Sequence, residues 1–96
     1  MKYQLVLTNR SIADIEKAKD WYDKQQVGLG NRFANATFKS IESVQSNPLG
    51  CQIKYRFTRE KLVNKFPYII IYSIEENVIF ILRVFNCKQN PKKKST

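Results

Sequence analysis

After a short opening segment, the hydropathy period of this chain changes at Asn47-Pro48-Leu49-Gly50. Upstream, apolar side chains recur at three- and four-residue spacing, the mark of helices. Downstream they alternate, the mark of strands. A chain divided in this way must lay amphipathic helices on a sheet, because each element has an apolar side that it can bury only against another element. The dividing segment is itself a stop. A residue before proline leaves the helical region, and Gly50 permits a tight turn.

Ile15, Ala18 and Tyr22 share one side of a first helix, expected over residues 11–27, with Ile12 and Trp21 beside them. Ser11 fits the N-cap, and Asp14, three residues on, resembles a capping box. Phe33, Thr37, Ile41 and Val44 form the stripe of a second helix over 31–46, widened by Ala34 and Phe38. Gly28-Leu29-Gly30 joins the two. Gly28 suits the left-handed position after a helix end, and so short a joint makes the helices antiparallel. Ahead of them, Tyr3, Leu5 and Leu7 alternate with Lys2, Gln4, Val6 and Thr8 as a first strand.

In the second half, Ile53, Tyr55 and Phe57 alternate with Lys54, Arg56 and Thr58, which predicts one strand. Arg59 to Lys65 reads as a charged connection. Phe66-Pro67-Tyr68 opens a strand that runs through Ile74, Glu75-Glu76-Asn77 turns, and Val78 to Phe85 returns. The expected fold is α+β, in the order β-α-α-β-β-β, with a helical hairpin packed on one face of a small antiparallel sheet. Residues 1–88 form one domain, followed by a polar basic tail over 89–96. Trp21, Tyr22, Phe33, Phe66, Tyr68 and Tyr72 are read as core.

Of the net charge of +9, residues 1–50 carry seven Lys/Arg against five Asp/Glu, and residues 51–96 carry ten against three. The second half therefore holds +7 of the excess, a field that favours polyanions: RNA, DNA, an acidic membrane surface or an acidic protein. There is no histidine, and the two cysteines, Cys51 and Cys87, stand 36 residues apart. No metal and no cofactor are expected from that set. No run nears the ~20 apolar residues of a membrane span. A soluble cytoplasmic protein with two free thiols is the expectation.

Two helices cover only one face of a sheet, yet the last two strands are apolar on both. Ile69 and Ile71, with Ile79, Ile81, Arg83 and Phe85, are assigned to the side away from the helices. Exposed apolar surface of that kind marks an interface with a partner.

In order along the chain stand Asp14-Ile15-Glu16, Trp21-Tyr22, Gly28-Leu29-Gly30, Arg32-Phe33, Asn47-Pro48, Arg59, Phe66-Pro67-Tyr68 with Ile70 and Tyr72, Val84-Phe85 and Asn90-Pro91. Together they resemble the toxins of RelE/ParE type II toxin–antitoxin systems, often called plasmid stabilisation proteins. The resemblance spans nearly the whole chain and is nearer to the ParE-like branch. It implies the same element order and a cognate antitoxin, expected to be acidic, whose C-terminal segment wraps the toxin. The apolar far face, Ile69, Ile71, Ile79, Ile81, Arg83 and Phe85, would receive that segment. The assembly would be a homodimer or a heterotetramer with the antitoxin.

The resemblance leaves two activities open. ParE-like members bind DNA gyrase and poison it without being hydrolases. RelE-like members are endoribonucleases that cut mRNA in the ribosome. Cleavage needs cations on the phosphorane and a group that moves protons. Lys54, Arg56, Arg59, Arg83 and Lys88 could supply the cations. The proton-moving half is missing: Asn86 stands where many relatives carry His, no Tyr follows position 72, and Ile69 replaces a frequent Arg. The ParE-like reading is therefore preferred, with a ribonuclease or a basic nucleic-acid-binding module as alternatives.

Overall fold

The computed structural model describes residues 3–87. Its elements are β1 (Gln4–Leu7), α1 (Asn9–Gln25), α2 (Leu29–Ser46), a short 3-10 turn (Pro48–Gly50), β2 (Ile53–Tyr55), β3 (Thr58–Leu62), β4 (Tyr68–Glu75) and β5 (Val78–Asn86). The strands form one five-stranded sheet in the order β1-β5-β4-β3-β2. It is mixed: β1 runs parallel to β5, and the other neighbours are antiparallel. The α+β class and the helical hairpin on a sheet stand as expected from the sequence.

Helix α1 begins earlier than the capping pattern predicts. Thr8, in extended backbone, is the N-cap, and its Oγ1 accepts the Ser11 N–H at 3.2 Å. The same hydroxyl donates to the Leu82 carbonyl at 3.1 Å, so one side chain caps the helix and pins it to β5. Ser11 is fully buried and donates its own hydroxyl to the Thr8 carbonyl at 2.8 Å. Asp14 is thereby freed from capping.

The joint between the helices depends on its two glycines for different reasons. Gly28 has φ 89°, which L side chains rarely adopt. At Gly30 a Cβ would lie 2.5 Å from the Lys19 carbonyl oxygen and 2.6 Å from Asp23 Oδ1. The Gly30 N–H instead donates to Asp23 Oδ1 at 2.8 Å, and α2 comes close against α1.

The segment expected as one strand over 53–58 folds back on itself. Arg56 takes φ 54°, the chain reverses at Arg56-Phe57, and the Thr58 hydroxyl donates to the Tyr55 carbonyl at 2.8 Å. The expected charged connection is therefore largely strand β3, with Arg59 opposite Tyr72 and Leu62 opposite Ile69. Alternation alone does not show a reversal that lacks glycine, proline or asparagine. β3 forms because it supplies the outer hydrogen-bonding partner of β4.

The core lies between helices and sheet. Phe33, Ile41 and Val44 of α2 and Ile15 and Ala18 of α1 pack on Ile70, Tyr72, Ile79, Ile81 and Val84. Phe33 is the hub of an aromatic cluster, with ring centroids 4.8 Å from Tyr68 and 5.3 Å from both Tyr22 and Phe66. Tyr72 is fully buried, and its hydroxyl donates to the Pro48 carbonyl at 2.8 Å. Burial, reinforced by the neighbouring Cys51 and only partly offset by Arg59, pushes that phenol well above its ordinary pKa of 10.0.

One irregularity decides which residues face which way. Ile71 pairs with Arg83 and Tyr72 with Ile81, so Leu82 is an extra residue in β5. Before this bulge, Ile79 and Ile81 point to the helices; after it, Val84 does. Both isoleucines are completely buried in the core. This corrects the expectation that Ile79 and Ile81 lie on the face away from the helices: the bulge reverses the parity of the strand.

Candidate functional site

Strand β1 ends at Leu7 and covers β5 only from Val78 to Ile81. From Leu82 onward β5 is a sheet margin, and unpaired margins attract other strands. Here α1 runs alongside and supplies side chains to it. Thr8 takes the Leu82 carbonyl, and Asp14 Oδ2 accepts the Val84 N–H at 3.0 Å. The same carboxylate accepts two bonds from Arg83, Nε at 2.7 Å and Nη2 at 3.2 Å. The Asp14 hydrogen bond holds the Arg83 guanidinium more firmly protonated than usual.

Between α1 and this margin runs a groove of about 710 Å³. Lys17, Trp21 and Lys24 line its helix side, and Arg83, Phe85 and Asn86 its strand side. Trp21, expected in the core, is 55% exposed and edge-on to Tyr22 at 5.1 Å. The reason is geometric. Tyr22 already fills the place over Phe33 and Phe66, so the adjacent Trp21 projects into the groove. A helical wheel puts Trp21 near the apolar stripe, and nothing in the pattern shows that the sheet beneath it has ended.

The other residues assigned to a partner face divide. Ile69, Ile71 and Phe85 do lie opposite the helix-facing set, in register with exposed Leu62 and with Glu60. Ile69 is nonetheless only 6% exposed. Arg83 turns its guanidinium to α1.

The expected catalytic cations do not converge. Arg59 is engaged by the Cys51 carbonyl on the β3 side of the sheet. Arg83 is bound to Asp14 on β5, two strands away, which is roughly 10 Å at ordinary strand spacing. Arg56 stands at the β2–β3 turn, its guanidinium 5.5 Å from the Tyr55 ring centroid. Lys54 is exposed on β2. Lys88 and the tail over 89–96 lie outside the described residues. Among the described residues no cluster of His, Cys, Asp and Glu could hold a metal, and Cys51 and Cys87 are free. No helix there is long and apolar enough to cross a membrane.

A helical hairpin packed on a five-stranded mixed sheet is consistent with the RelE/ParE fold. The family model for the ParE toxin of the type II toxin–antitoxin system parDE matches residues 5–91, and the chain belongs to that family. A cognate antitoxin is therefore its partner. Among solved structures, the fold is similar to a chain from the chromosomal ParDE TA system from P. aeruginosa, at a TM-score of 0.80 and 16% identity. The likeness covers 88% of this chain and 96% of that one. No curated protein matches in sequence.

Proposed function

We propose that this chain is a ParE-like toxin that acts by binding a cellular target, DNA gyrase, and that its antitoxin silences it from the groove beside β5. The groove carries this reading. It joins an exposed Trp21 to half-buried Phe85, and its lining carries Lys17, Lys24 and the Asp14-paired Arg83 against Asp14 and Asp20. Large aromatic anchors beside the two lysines, which are unpaired among the described residues, suit an amphipathic segment that carries acidic residues. Ile71 continues the contact onto the far face, whereas Ile69, Ile79 and Ile81 are excluded by their burial.

A binding mode of action, in place of RNA hydrolysis, is supported by the dispersal of the cations. Arg59 and Arg83 are each tied to a different partner, and the sequence has no histidine to move a proton. Two measurements test this. Purified toxin should inhibit supercoiling by gyrase, and mRNA should stay intact in cells after induction while DNA-damage signalling rises. Cleaved mRNA, with toxicity abolished by Lys54→Ala plus Arg56→Ala, would establish the ribonuclease reading instead.

A further inference from the structure

The β2–β3 hairpin takes no part in the groove, and the helices do not cover it: every residue of β2 is exposed. Among the described residues ten large apolar side chains are exposed, and four of them, Ile53, Tyr55, Phe57 and Leu62, fall within residues 53–62. Phe57, at the turn, is the most exposed of the four at 67%. They occupy both sides of the sheet. Ile53 is paired with Arg59, whose partner is the core residue Tyr72, so Ile53 stands on the helix side. Tyr55 is paired with Thr58, and Leu62 with Ile69, on the far side. Apolar surface so concentrated marks a contact with something other than water. Charge is segregated in the same segment: residues 53–65 hold five Lys/Arg against Glu60 alone, while α1 holds four of each sign.

We infer that the β2–β3 hairpin is a wedge that dips into the surface of an anionic lipid bilayer. A partner for apolar side chains on both sides of a hairpin must close around it. A protein surface covers one side and leaves the other in water, whereas lipid surrounds both. Phe57 and Tyr55 enter the acyl boundary to about the 5–10 Å of interfacial binding, with Ile53 behind them. Lys54 and Arg56 lay their stems along that boundary and keep their charges among the lipid phosphates. Arg59, Lys61 and Lys65 add to the attraction of the anionic headgroups. Cations and rings need not share a side, because headgroups encircle the hairpin. The headgroup layer is wet, so the outer backbone edge of β2 keeps its hydrogen bonds to water. An acidic protein fits less well, since the buried centres of protein interfaces are depleted of lysine. A nucleic acid would use the cations but offers no apolar medium to Ile53 and Leu62. The wedge stands apart from the groove and does not depend on the antitoxin reading. Such contact is peripheral and needs no spanning helix.

The test is co-sedimentation of the full chain with vesicles of phosphatidylcholine alone and of phosphatidylcholine mixed with phosphatidylglycerol. The mixed vesicles should bind the chain and the neutral ones should not. Phe57→Ser and Tyr55→Ser, which leave the charge unchanged, should each weaken binding roughly five-fold or more. Phe38→Ser, at the exposed aromatic of α2, should not. Lys54→Gln should weaken it roughly five-fold, as expected for one charge near an anionic surface. Unchanged melting temperatures show that the variants fold. Depth is read separately. The chain has one tryptophan, so Phe57→Trp in a Trp21→Phe background reports the tip alone, and its emission should shift to the blue on the mixed vesicles. Indifference to Phe57→Ser and Tyr55→Ser, an equal loss with Phe38→Ser, or an unshifted emission would reduce the binding to bulk charge and overturn the assignment. So would failure to bind the mixed vesicles; a Phe57-dependent hold on polyglutamate or on an oligonucleotide would then give the surface to a protein or a nucleic acid.

Discussion

The sheet has two margins, and they are finished by different means. Beside β5 the margin is closed by the chain itself: Thr8 takes a carbonyl, Asp14 takes an N–H and an arginine, and α1 stands alongside. At the β2–β3 end no helix stands alongside in this way among the described residues. That strand pair is short, with Lys54 and Arg56 on it, and its apolar residues Ile53, Tyr55, Phe57 and Leu62 are all more than half exposed. Shortness and lysine protect a margin from strand addition without hiding its side chains. The first margin offers a shaped groove for a segment that must fit it. The second presents an exposed, charged and aromatic surface.

The contrast can be broken most severely from the core on which both margins rest. Phe33→Ala removes the hub of the aromatic cluster and should cost about 3–5 kcal/mol in urea denaturation. A loss under 1 kcal/mol would mean that the two margins do not share that core. Next, Asp14→Ala leaves the buried Val84 N–H without its acceptor and should cost about 1–3 kcal/mol. Asp14→Asn keeps an acceptor and should cost less than half of that, because the ion pair with Arg83 is partly solvated and contributes little beyond its hydrogen bonds. Equal losses in the two variants would make the closed margin electrostatic. In the groove, Trp21→Ala should weaken the antitoxin complex by about tenfold or more in calorimetry, since exposed tryptophan anchors carry such energies, with melting temperature of the free toxin little changed.

A smaller effect concerns pH. The Tyr72 phenol is raised in the fold by burial, so the folded chain keeps that proton when the unfolded chain has lost it. The stability this contributes is present below pH about 10, the ordinary tyrosine value, and is lost as pH rises beyond it. Chemical denaturation across the alkaline range should show the decline, and Tyr72→Phe should flatten it. An unchanged slope in Tyr72→Phe would place the titration elsewhere. The least effect is expected at the open margin itself: Phe57→Ala should alter stability by less than about 0.5 kcal/mol, as at other exposed sites. A larger loss would show that the hairpin tip is structural.

Much of the architecture could be read directly from the residues. The change of period at Asn47-Pro48 separates helices from strands, the stripe Phe33-Thr37-Ile41-Val44 is the buried side of α2, and Gly28-Leu29-Gly30 is the joint. The ordered Trp-Tyr, Gly-Leu-Gly and Phe-Pro-Tyr signatures pointed to the family that the match over residues 5–91 establishes. The site was less legible. Asp14 looked like a cap and proved to be the acceptor for β5; Trp21 looked like core and proved to line the groove. Arg56 and Phe57 looked like strand and proved to be a turn.

Period, turn chemistry and charge distribution belong to neighbouring residues, so the amino-acid sequence by itself determined the two layers, the approximate places of the two helices, the β4–β5 hairpin and the basic second half. Where β1 stops against β5, where Leu82 bulges, and which face Ile79 and Ile81 therefore take are set by pairing between segments some seventy residues apart or across a sheet. A single inserted residue reverses every side chain beyond it, because strand faces alternate with period two. Only the tertiary structure could decide that parity, and with it which apolar residues are core and which are left for a partner.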